Sequence, residues 1–322
     1  MRVATVTFNP AIDQTVTVDH LVPGEVHRAR AVRQNAGGKG VNVASCLADW
    51  GTRVTAFGLL GRENAGLFEA LCAEKGIADR FRRIAGATRV NLKIVDDRDT
   101  TDINMDGAAV DAATLAEQVG MVEAFAGEDS LIVLSGSLPP GCPPGLYADL
   151  IGRLRARGAR VLLDTSGLPL MLALQGSTPP SIVKPNLREL ADWAGERVET
   201  TEDALRVATR LAARGVELVV VSMGAEGALF VRDSVAITAR LRAGSVTSTV
   251  GAGDAMVAGL VAALAEEAAL EDIARLSTAF AVGKLGLAGP NLPDRATIRA
   301  LMGQVTIATA GRTEAGGAGE TA

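Results

Sequence analysis

The chain has 322 residues, of which 48% are hydrophobic and 3% aromatic, and its formal net charge at pH 7 is -5. An acidic chain whose arginines are spread without a basic tract is not expected to bind nucleic acid. Because only two histidines occur, His20 and His27, a histidine metal site or a Ser-His-Asp triad is not expected, and general-base chemistry falls to a carboxylate.

The N-terminal residues and the cysteines indicate the cellular compartment of the protein. Residues 1–8 have the pattern of a buried strand and lack the apolar stretch and cleavage site of a signal peptide. Cys46, Cys72 and Cys142 are odd in number, widely spaced and without zinc-site spacing, which predicts reduced thiols. No segment has the length and apolarity of a membrane span. We therefore expect a cytoplasmic protein with no membrane partner.

Short apolar segments alternate with segments of helical periodicity along most of the chain. This alternation predicts a three-layer α/β/α fold with a mostly parallel sheet covered by helices on both faces. The predicted strands are 3–8, 53–58, 131–135, 160–164, 181–184 and 218–222, followed by an antiparallel strand at 227–231. The predicted helices are 40–50, 65–75, 112–125, 145–157, 201–214, 252–267, 270–285 and 294–302.

Two regions, about 13–34 and 88–106, interrupt this alternation. Polar and apolar residues alternate in both, as expected for strands with one face in water. We interpret them as a small second sheet inserted into the α/β core, in a chain whose length alone would allow one large domain or two. Residues 311–322 are rich in Gly, Ala, Thr and Glu, and we expect a disordered tail there.

The segment from Ser248 to Asp254 has the pattern of a glycine loop that opens a helix. Free N–H groups at a helix N-terminus bind anions, and glycines let the backbone approach a phosphate closely. An acid at this position would weaken phosphate binding unless it had a separate task, such as accepting the proton of an attacking hydroxyl. The loop therefore indicates phosphoryl transfer to an alcohol. The alternative is an ordinary helix that is capped after a glycine turn.

A second glycine run, residues 37–40, precedes another predicted helix, and Lys39 projects from it. A Walker A motif requires a glycine five residues before the Gly-Lys pair and Ser or Thr after the lysine, but Arg33 and Gly40 occupy these places. The run still predicts a backbone cradle with a cation. A flexible turn with a solvated lysine is the alternative.

Other candidates follow predicted strands. Asp13 lies after the first strand, where ligands bind in open α/β sheets, although an Asx turn would also explain it. Ser137 follows a buried strand in a turn rich in Pro and Gly, and the turn alone would explain that segment equally well. Arg89 shares one strand face with Asn91 and Lys93, and arginine suits phosphate recognition.

A strand-to-helix turn carries Asn186 and Glu189, three residues apart on one helical face. A capping box is the alternative explanation of this pair. Residues 222–227 leave an apolar strand in a glycine turn, for which a simple hairpin is the alternative.

The segments 35–42, 184–190 and 248–254, in this order, resemble those of the ribokinase-like (PfkB-type) carbohydrate kinases, and within them the bacterial phosphofructokinase branch. The resemblance covers about residues 1–303. It implies a ribokinase-like core with a β-lid over the sugar, ATP and Mg²⁺ as cofactors, and a homodimer formed through the lid. The implied reaction is phosphorylation of D-fructose 1-phosphate to fructose 1,6-bisphosphate, with tagatose-6-phosphate kinase or 6-phosphofructokinase as alternatives.

The resemblance also implies roles for individual residues. The catalytic residues would be Asp254 as general base, with Gly251, Ala252 and Gly253. The substrate-binding residues would be Asp13, Gly38, Lys39, Asn42, Arg89, Asn104 and Ser137, of which Lys39 and Arg89 would bind the existing phosphate. The nucleotide-binding residues would be Lys184, Asn186, Ser222, Gly224, Glu226, Gly227, Gly251 and Gly253, with Glu189 organising Mg²⁺ through water. Ser248, where many relatives have Asp, is common in the phosphofructokinase branch.

Two functions of other classes were weighed against this interpretation. Gly251 and Gly253 superficially suggest a dinucleotide-binding turn, but the third glycine of that fingerprint would fall at Met256. A catalytically silent ligand-binding protein is the other alternative, and the presence of Asp254 argues against it.

Overall fold

The computed structural model describes residues 1–244 and 249–312, and these residues contain fourteen β-strands and ten α-helices. The strands are β1 (Arg2–Thr7), β2 (Ala11–Thr17), β3 (Ala31–Gly37), β4 (Val54–Gly61), β5 (Ala78–Ile84), β6 (Val90–Val95), β7 (Thr100–Ile103), β8 (Ser130–Ser135), β9 (Arg160–Asp164), β10 (Ile182–Val183), β11 (Leu218–Ser222), β12 (Ala228–Arg232), β13 (Val235–Arg240) and β14 (Thr306–Arg312). The helices are α1 (Lys39–Trp50), α2 (Gly66–Lys75), α3 (Ala112–Phe125), α4 (Leu146–Ala156), α5 (Gly167–Gln175), α6 (Leu187–Ala194), α7 (Thr201–Ala213), α8 (Ala252–Ala265), α9 (Leu270–Leu285) and α10 (Arg295–Gln304).

Ten of the strands form one sheet in the order β14-β13-β12-β11-β10-β9-β8-β1-β4-β5. The run from β11 to β5 is parallel, and β12, β13 and β14 are added antiparallel at one edge. The predicted mostly parallel sheet is therefore confirmed. Its parallel strands end at one common edge, which is where ligands bind in folds of this class.

Helices cover both faces of this sheet, so its central strands are buried along nearly their whole length. In β8, Leu131 and Val133 belong to the core under α1, α8 and α9, while Ile132 and Leu134 belong to the core under α3, α4 and α7. Because successive side chains of a strand point to opposite faces, one short apolar run supplies both cores.

The second sheet has four strands in the order β3-β2-β6-β7. Strands β2 and β6 pair in parallel, with Ile12 beside Val90, and β3 and β7 are antiparallel to them. Most of its residues are half-buried or exposed. This sheet, called the lid below, confirms the predicted small insertion.

Four elements were not predicted from the sequence: β5, α5, β13 and β14. Strand β5 lies at the edge of the main sheet and carries Asp79, Arg80, Arg82 and Arg83, so it lacks an apolar pattern. Helix α5 is short and apolar on most sides, which hides its periodicity.

The C-terminal end of the described chain adds the last strand to the main sheet. Gly311 and Arg312, which the sequence assigned to the tail, lie in β14. The remaining tail residues, 313–322, are outside the described part. Among the described residues, no helix combines the length and the apolarity that a membrane crossing requires.

Candidate active site

A cavity of about 750 Å³ opens between the lid and the loop that begins α8. Its walls come from the lid strands, from α1, and from the segments before α8 and after α9. The residues that line it are Asp13, Thr15, Thr17, Arg33, Asn35, Asn42, Asn91, Leu92, Lys93, Val95, Thr100, Asp102, Asn104, Thr249, Val250, Gly251, Lys284, Ala288, Gly289 and Pro290.

Asp254 lies in the first turn of α8 and is only 7% exposed. Asn42 donates a side-chain hydrogen bond of 2.8 Å to Asp254 Oδ2. Burial, together with the negative charge of Asp164, raises the pKa of Asp254 to about 6, although Lys39 and Asn42 act in the opposite direction. A carboxylate with a pKa near 6 is ionised at neutral pH and is still basic enough to accept a proton during catalysis.

The glycine loop before Asp254 has a backbone that only glycine adopts easily. Gly251 is the N-cap of α8 with a φ of 82°, and a side chain there would also lie 3.4 Å from Lys284 Cε. The N–H of Ala252 makes only a long contact of 3.4 Å with the Thr249 carbonyl. The turn thus presents a helix N-terminus, which favours anions, toward the cavity.

A buried carboxylate that the sequence analysis missed stands at the centre of the site. Asp164 ends β9 and is 1% exposed, and its Oδ1 accepts from Lys39 Nζ at 3.2 Å and from Lys184 Nζ at 3.3 Å. Its Oδ2 has no hydrogen-bond partner in residues 1–244 and 249–312. Burial would raise the pKa of Asp164, but the two lysines outweigh it and lower that pKa. An aspartate directly after a buried strand was the signal that could have identified it.

Lys39 was predicted to bind the phosphate of the sugar, but its ammonium lies on Asp164 and not on the wall of the cavity. Burial lowers the pKa of Lys39, and the negative charges of Asp164 and Asp254 more than compensate, so that the pKa is raised to about 12. Gly38 is the N-cap of α1 with a φ of 104°. Neighbouring Gly37 leaves no room for a side chain, since its Cβ would lie 2.2 Å from Asp13 Oδ2.

Three of the polar residues that line the cavity were expected near a sugar, Asp13, Asn42 and Asn104, and Asn91 lines it as well. Asn91 donates to Asp13 Oδ1 at 3.1 Å across the parallel β2–β6 pair. Burial raises the pKa of Asp13 despite this hydrogen bond. Lys93 also lines the cavity and forms an ion pair of 3.0 Å with Asp102. The lid therefore presents hydrogen-bonding groups and two cations, Lys93 and Arg33, to the cavity.

Arg89 and Ser137 do not line this cavity. The Arg89 guanidinium donates to the backbone carbonyls of Asn9 at 3.1 Å, Pro10 at 3.2 Å and Met105 at 3.0 Å. Ser137 Oγ accepts from Asn9 Nδ2 at 3.0 Å. Both residues were expected to bind substrate, and in the structure local hydrogen bonds hold them beside the strand end, outside this cavity.

Asn186 and Glu189 form a complete capping box at the start of α6. Asn186 N–H donates to Glu189 Oε2 and Glu189 N–H donates to Asn186 Oδ1, both at 2.9 Å. The capping box, which was the alternative explanation of this pair, is therefore present in the structure. Asn186 also bridges to Ser222 at the end of β11, so the structure brings these two predicted nucleotide-binding residues together beside Lys184.

The turn after β11 contains the remaining predicted nucleotide-binding residues. Gly224–Glu226 form one turn of 3-10 helix, and Gly227 follows with a φ of 90°. A Cβ at Gly227 would lie 2.1 Å from the Ala239 carbonyl oxygen, so β13 excludes any side chain there. Glu226 is exposed and pairs with Arg240 at 2.9 Å.

Lys284, near the end of α9, was a second omission of the sequence analysis. It lines the cavity although its side chain is buried, and it lies beside Gly251. A single lysine within the apolar run 279–285 was the signal for it. The prediction about Ser248 concerns a residue outside the described part of the chain.

Comparison with known proteins places the chain in a family. It matches the family described as "pfkB family carbohydrate kinase" over residues 6–297. It is 50% identical over 290 residues to the 1-phosphofructokinase of Xanthomonas campestris pv. campestris, which is 88% of this chain and 91% of that protein. The identity to the 1-phosphofructokinase of Rhodobacter capsulatus is 47% over 312 residues, which is 96% of this chain and 98% of that protein.

Among solved structures, the phosphofructokinase-2 of Escherichia coli in complex with fructose-6-phosphate has the same fold. Its TM-score is 0.85 at 27% sequence identity, over 94% of this chain and 98% of that chain. The large, mostly parallel sheet and the smaller lid sheet agree with this shared fold. The chain belongs to the pfkB family of carbohydrate kinases.

Proposed function

We propose that this chain transfers the γ-phosphoryl group of ATP to the free primary hydroxyl of D-fructose 1-phosphate, yielding ADP and fructose 1,6-bisphosphate. The observation that carries the proposal is Asp254, a buried carboxylate at a helix N-terminus beside a cavity lined by Asp13, Asn42, Asn91 and Asn104. The identities of 50% and 47% to proteins named 1-phosphofructokinase support this choice of substrate.

In this reaction Asp254 accepts the proton of the sugar hydroxyl as its oxygen attacks the γ-phosphorus and the bond to ADP breaks. Asn42 keeps the carboxylate in place through its 2.8 Å hydrogen bond. The N–H groups of Gly251, Ala252 and Gly253 stabilise the negative charge on the transferring group, because the α8 N-terminus is already oriented toward it.

The lid holds the sugar phosphate. Asp13, Asn91 and Asn104 accept and donate hydrogen bonds to its hydroxyl groups, and Lys93 and Arg33 supply the positive charge on the lid side of the cavity. Arg89 binds the phosphate only when it exchanges its contacts with three carbonyl groups for phosphate oxygens. Ser137 is expected to bind the phosphate together with Arg89, since both residues form a hydrogen bond with Asn9.

Lys184, Asn186, Ser222, Gly224, Glu226 and Gly227 form the nucleotide side of the site. Lys39 stands between the two halves, because its ammonium contacts Asp164 and is also attracted by Asp254. We assign to Lys39 the neutralisation of charge near the transferring phosphoryl group, in place of binding the sugar phosphate.

The carboxylates present fit a hydrated Mg²⁺ ion. The Oδ2 atom of Asp164 is buried without a partner in the described residues, and Glu189 stands nearby at the start of α6. Mg²⁺ keeps several waters and takes phosphate oxygens as ligands, so two carboxylates acting partly through water suffice. A bound Mg²⁺ would neutralise negative charge on the phosphate groups of ATP.

A second candidate is phosphorylation of fructose 6-phosphate or tagatose 6-phosphate. It is favoured by the fold shared with the phosphofructokinase-2 solved with fructose-6-phosphate. All these ketose phosphates carry a phosphate at one end and a primary hydroxyl at the other, so the same base and loop serve each of them.

We also propose a cytoplasmic homodimer. Cys46, Cys72 and Cys142 are all free thiols, which suits a reducing compartment. On the lid, Val32 is 56% exposed and Ile103 46% exposed, and apolar side chains on a small sheet are suited to pair with a second copy.

The test is ADP release by the purified protein with MgATP and a panel of sugars: fructose 1-phosphate, fructose 6-phosphate, tagatose 6-phosphate and unphosphorylated fructose. We expect the highest kcat/KM with fructose 1-phosphate. The variant Asp254→Asn should lose about 10²–10⁴-fold in kcat, the usual contribution of a general base. A preference for another sugar would change the assigned substrate and leave the kinase mechanism in place. Inactivity with every sugar would reject the proposal.

A further inference from the structure

Lys284 is a buried cation that the mechanism above does not use. Its side chain is 2% exposed, yet it lies on the wall of the cavity together with Thr249 and Gly251. Burying an ammonium group is costly unless it is paired or bound by hydrogen bonds. A buried lysine on the cavity wall therefore indicates that its charge or its contacts have a role at this position.

The stem of Lys284 packs against the glycine loop. A Cβ on Gly251 would lie 3.4 Å from Lys284 Cε, so the aliphatic part of the lysine fills the space that glycine leaves open. Gly251 is the residue whose positive φ turns the chain into α8. Lys284 therefore supports the backbone at Gly251, the residue that sets the direction in which the N–H groups of the loop point.

The ammonium of Lys284 is anchored on the opposite side. Nζ donates to the Leu287 carbonyl at 2.8 Å, just after the end of α9. The following residues Ala288, Gly289 and Pro290 form another part of the cavity wall. The Lys284 side chain therefore links the glycine loop to the segment after α9, which forms another part of the cavity wall.

Lys284 also interacts electrostatically with the general base. Burial lowers the pKa of Lys284, and the negative charge of Asp254 opposes this effect. Asp254 is faced by Lys39, Asn42 and Cys46 of α1, by Asp164 at the end of β9, by Lys184 after β10 and by Lys284 of α9.

We propose that Lys284 is a positioning residue for phosphoryl transfer: its stem supports Gly251, and its anchored ammonium holds positive charge behind the glycine loop. This inference rests on the proposed function. A lysine in the last turn of a helix also stabilises the helix end simply by meeting its carbonyl groups. The experiment must therefore separate a catalytic effect from a stabilising one.

The test compares Lys284→Met with the matched control Arg275→Met. Arg275 lies on the same helix and also donates to a backbone carbonyl, that of Val305, but it does not line the cavity. We expect Lys284→Met to lower kcat with fructose 1-phosphate by about 10–100-fold, the size of one misplaced or missing electrostatic group. KM for ATP and for the sugar should stay within about threefold, because Lys284 supports the loop without binding either ligand.

Two further measurements make the result decisive. The acid limb of the kcat/KM profile should move to higher pH in Lys284→Met, since loss of a nearby positive charge raises the pKa of Asp254 in the free enzyme. Lys284→Arg keeps the charge and should recover most of kcat, and it is the variant to use if Lys284→Met does not fold. Arg275→Met should change the thermal midpoint and leave kcat and the pH profile unchanged.

A Lys284→Met protein with wild-type kcat and only a lower thermal midpoint would reduce Lys284 to a helix cap and overturn the inference. A large rise in KM for ATP at unchanged kcat would overturn it too, since it would show direct contact with the nucleotide. An inactive wild-type protein would reject the proposed function itself, which separates the two failures.

Discussion

Asn42 and Asp254 are 212 positions apart in the chain and are joined by a hydrogen bond of 2.8 Å. Asn42 belongs to the first turns of α1 and Asp254 to the first turn of α8, so the bond ties two helix N-termini together at the edge of the sheet. The two helices pack on each other along their apolar faces. The orientation of the proposed base is therefore set by the packing of α1 on α8.

The raised pKa of Asp254 predicts an acid limb in the activity profile. The base must be ionised to accept a proton, so kcat/KM of the wild-type enzyme, which reports the free enzyme, should fall as the pH drops through about 6. The check is a profile of kcat/KM with fructose 1-phosphate from pH 5 to 8. The residual activity of Asp254→Asn should lack this limb, and a limb that persists unchanged in that variant would assign the titration to another group.

The same carboxylate should reduce stability at neutral pH. Its pKa rises from 3.8 in the unfolded chain to about 6 in the folded one, so the folded state is favoured at low pH and loses stability as the pH rises from about 4 to 6. Asp254→Asn should therefore raise the free energy of unfolding at pH 7 by on the order of 1–3 kcal/mol. Urea unfolding at pH 7 and at pH 4 tests this, because the gain should disappear at the lower pH.

Asp164 should be essential to the fold as well as to the site. Asp164→Asn leaves Lys184, whose side chain is 6% exposed, without its counter-ion. We expect a loss of about 3–5 kcal/mol in the free energy of unfolding at pH 7. Because the pKa of Asp164 is lowered on folding, its contribution is present above pH 4 and disappears as the pH falls through the folded value.

The matched control for Asp164 is Asp129→Asn, which breaks an exposed ion pair with Arg2. Exposed pairs contribute little, so this variant should lose less than about 1 kcal/mol. Equal losses in the two variants would show that Asp164 is not a buried structural charge.

Lys93 should determine affinity for the sugar phosphate. Lys93→Met removes one of the two cations, Lys93 and Arg33, that the lid presents to the cavity, and KM for fructose 1-phosphate should rise about tenfold or more, as expected when a charged hydrogen bond of about 1.5–3 kcal/mol is lost. KM for ATP should be unchanged. Arg98→Met, at the exposed tip of the lid, serves as the control, and a selective effect on ATP would place Lys93 on the nucleotide side.

The lid should carry the dimer contact. Light scattering should give twice the chain mass of 33.1 kDa for the wild-type protein and the single mass for Val32→Asp, because a charge on the strand face cannot be buried without a partner. Val26→Asp changes a residue that is 99% exposed outside the lid strands and should leave the mass doubled. A monomeric wild-type protein would contradict the lid dimer.

The elements best predicted from sequence are those that are buried or strongly periodic. The predicted limits of β9, β11, α3 and α9 coincide with those of the structure. An apolar strand between two helical layers has an unmistakable composition. Strand β5 was missed because an edge strand can be charged, and its pairing with β4 supplies the stability that its own sequence does not indicate.

The residues of the proposed site also divide into those that the sequence predicts and those that it does not. The glycine loop, Asp254, Asp13 and Asn42 follow from local chemistry at strand and helix ends. The contact of Lys39 with Asp164 does not, because it depends on which strands are neighbours in the sheet. The hydrogen bonds of Arg89 could not be predicted either, since a strand pattern gives the face of a side chain but not its final acceptors.

The separation of Asn42 and Asp254 has a consequence during synthesis on the ribosome. Domains form as their chains emerge from the N-terminus onward. A chain interrupted before residue 248 would contain the lid and most of the main sheet, yet it would lack the base and the glycine loop. It would also leave the apolar face of α1 without the helix that covers it. Prematurely terminated chains should therefore be unable to consume ATP and should expose a surface that the quality-control machinery of the cell recognises.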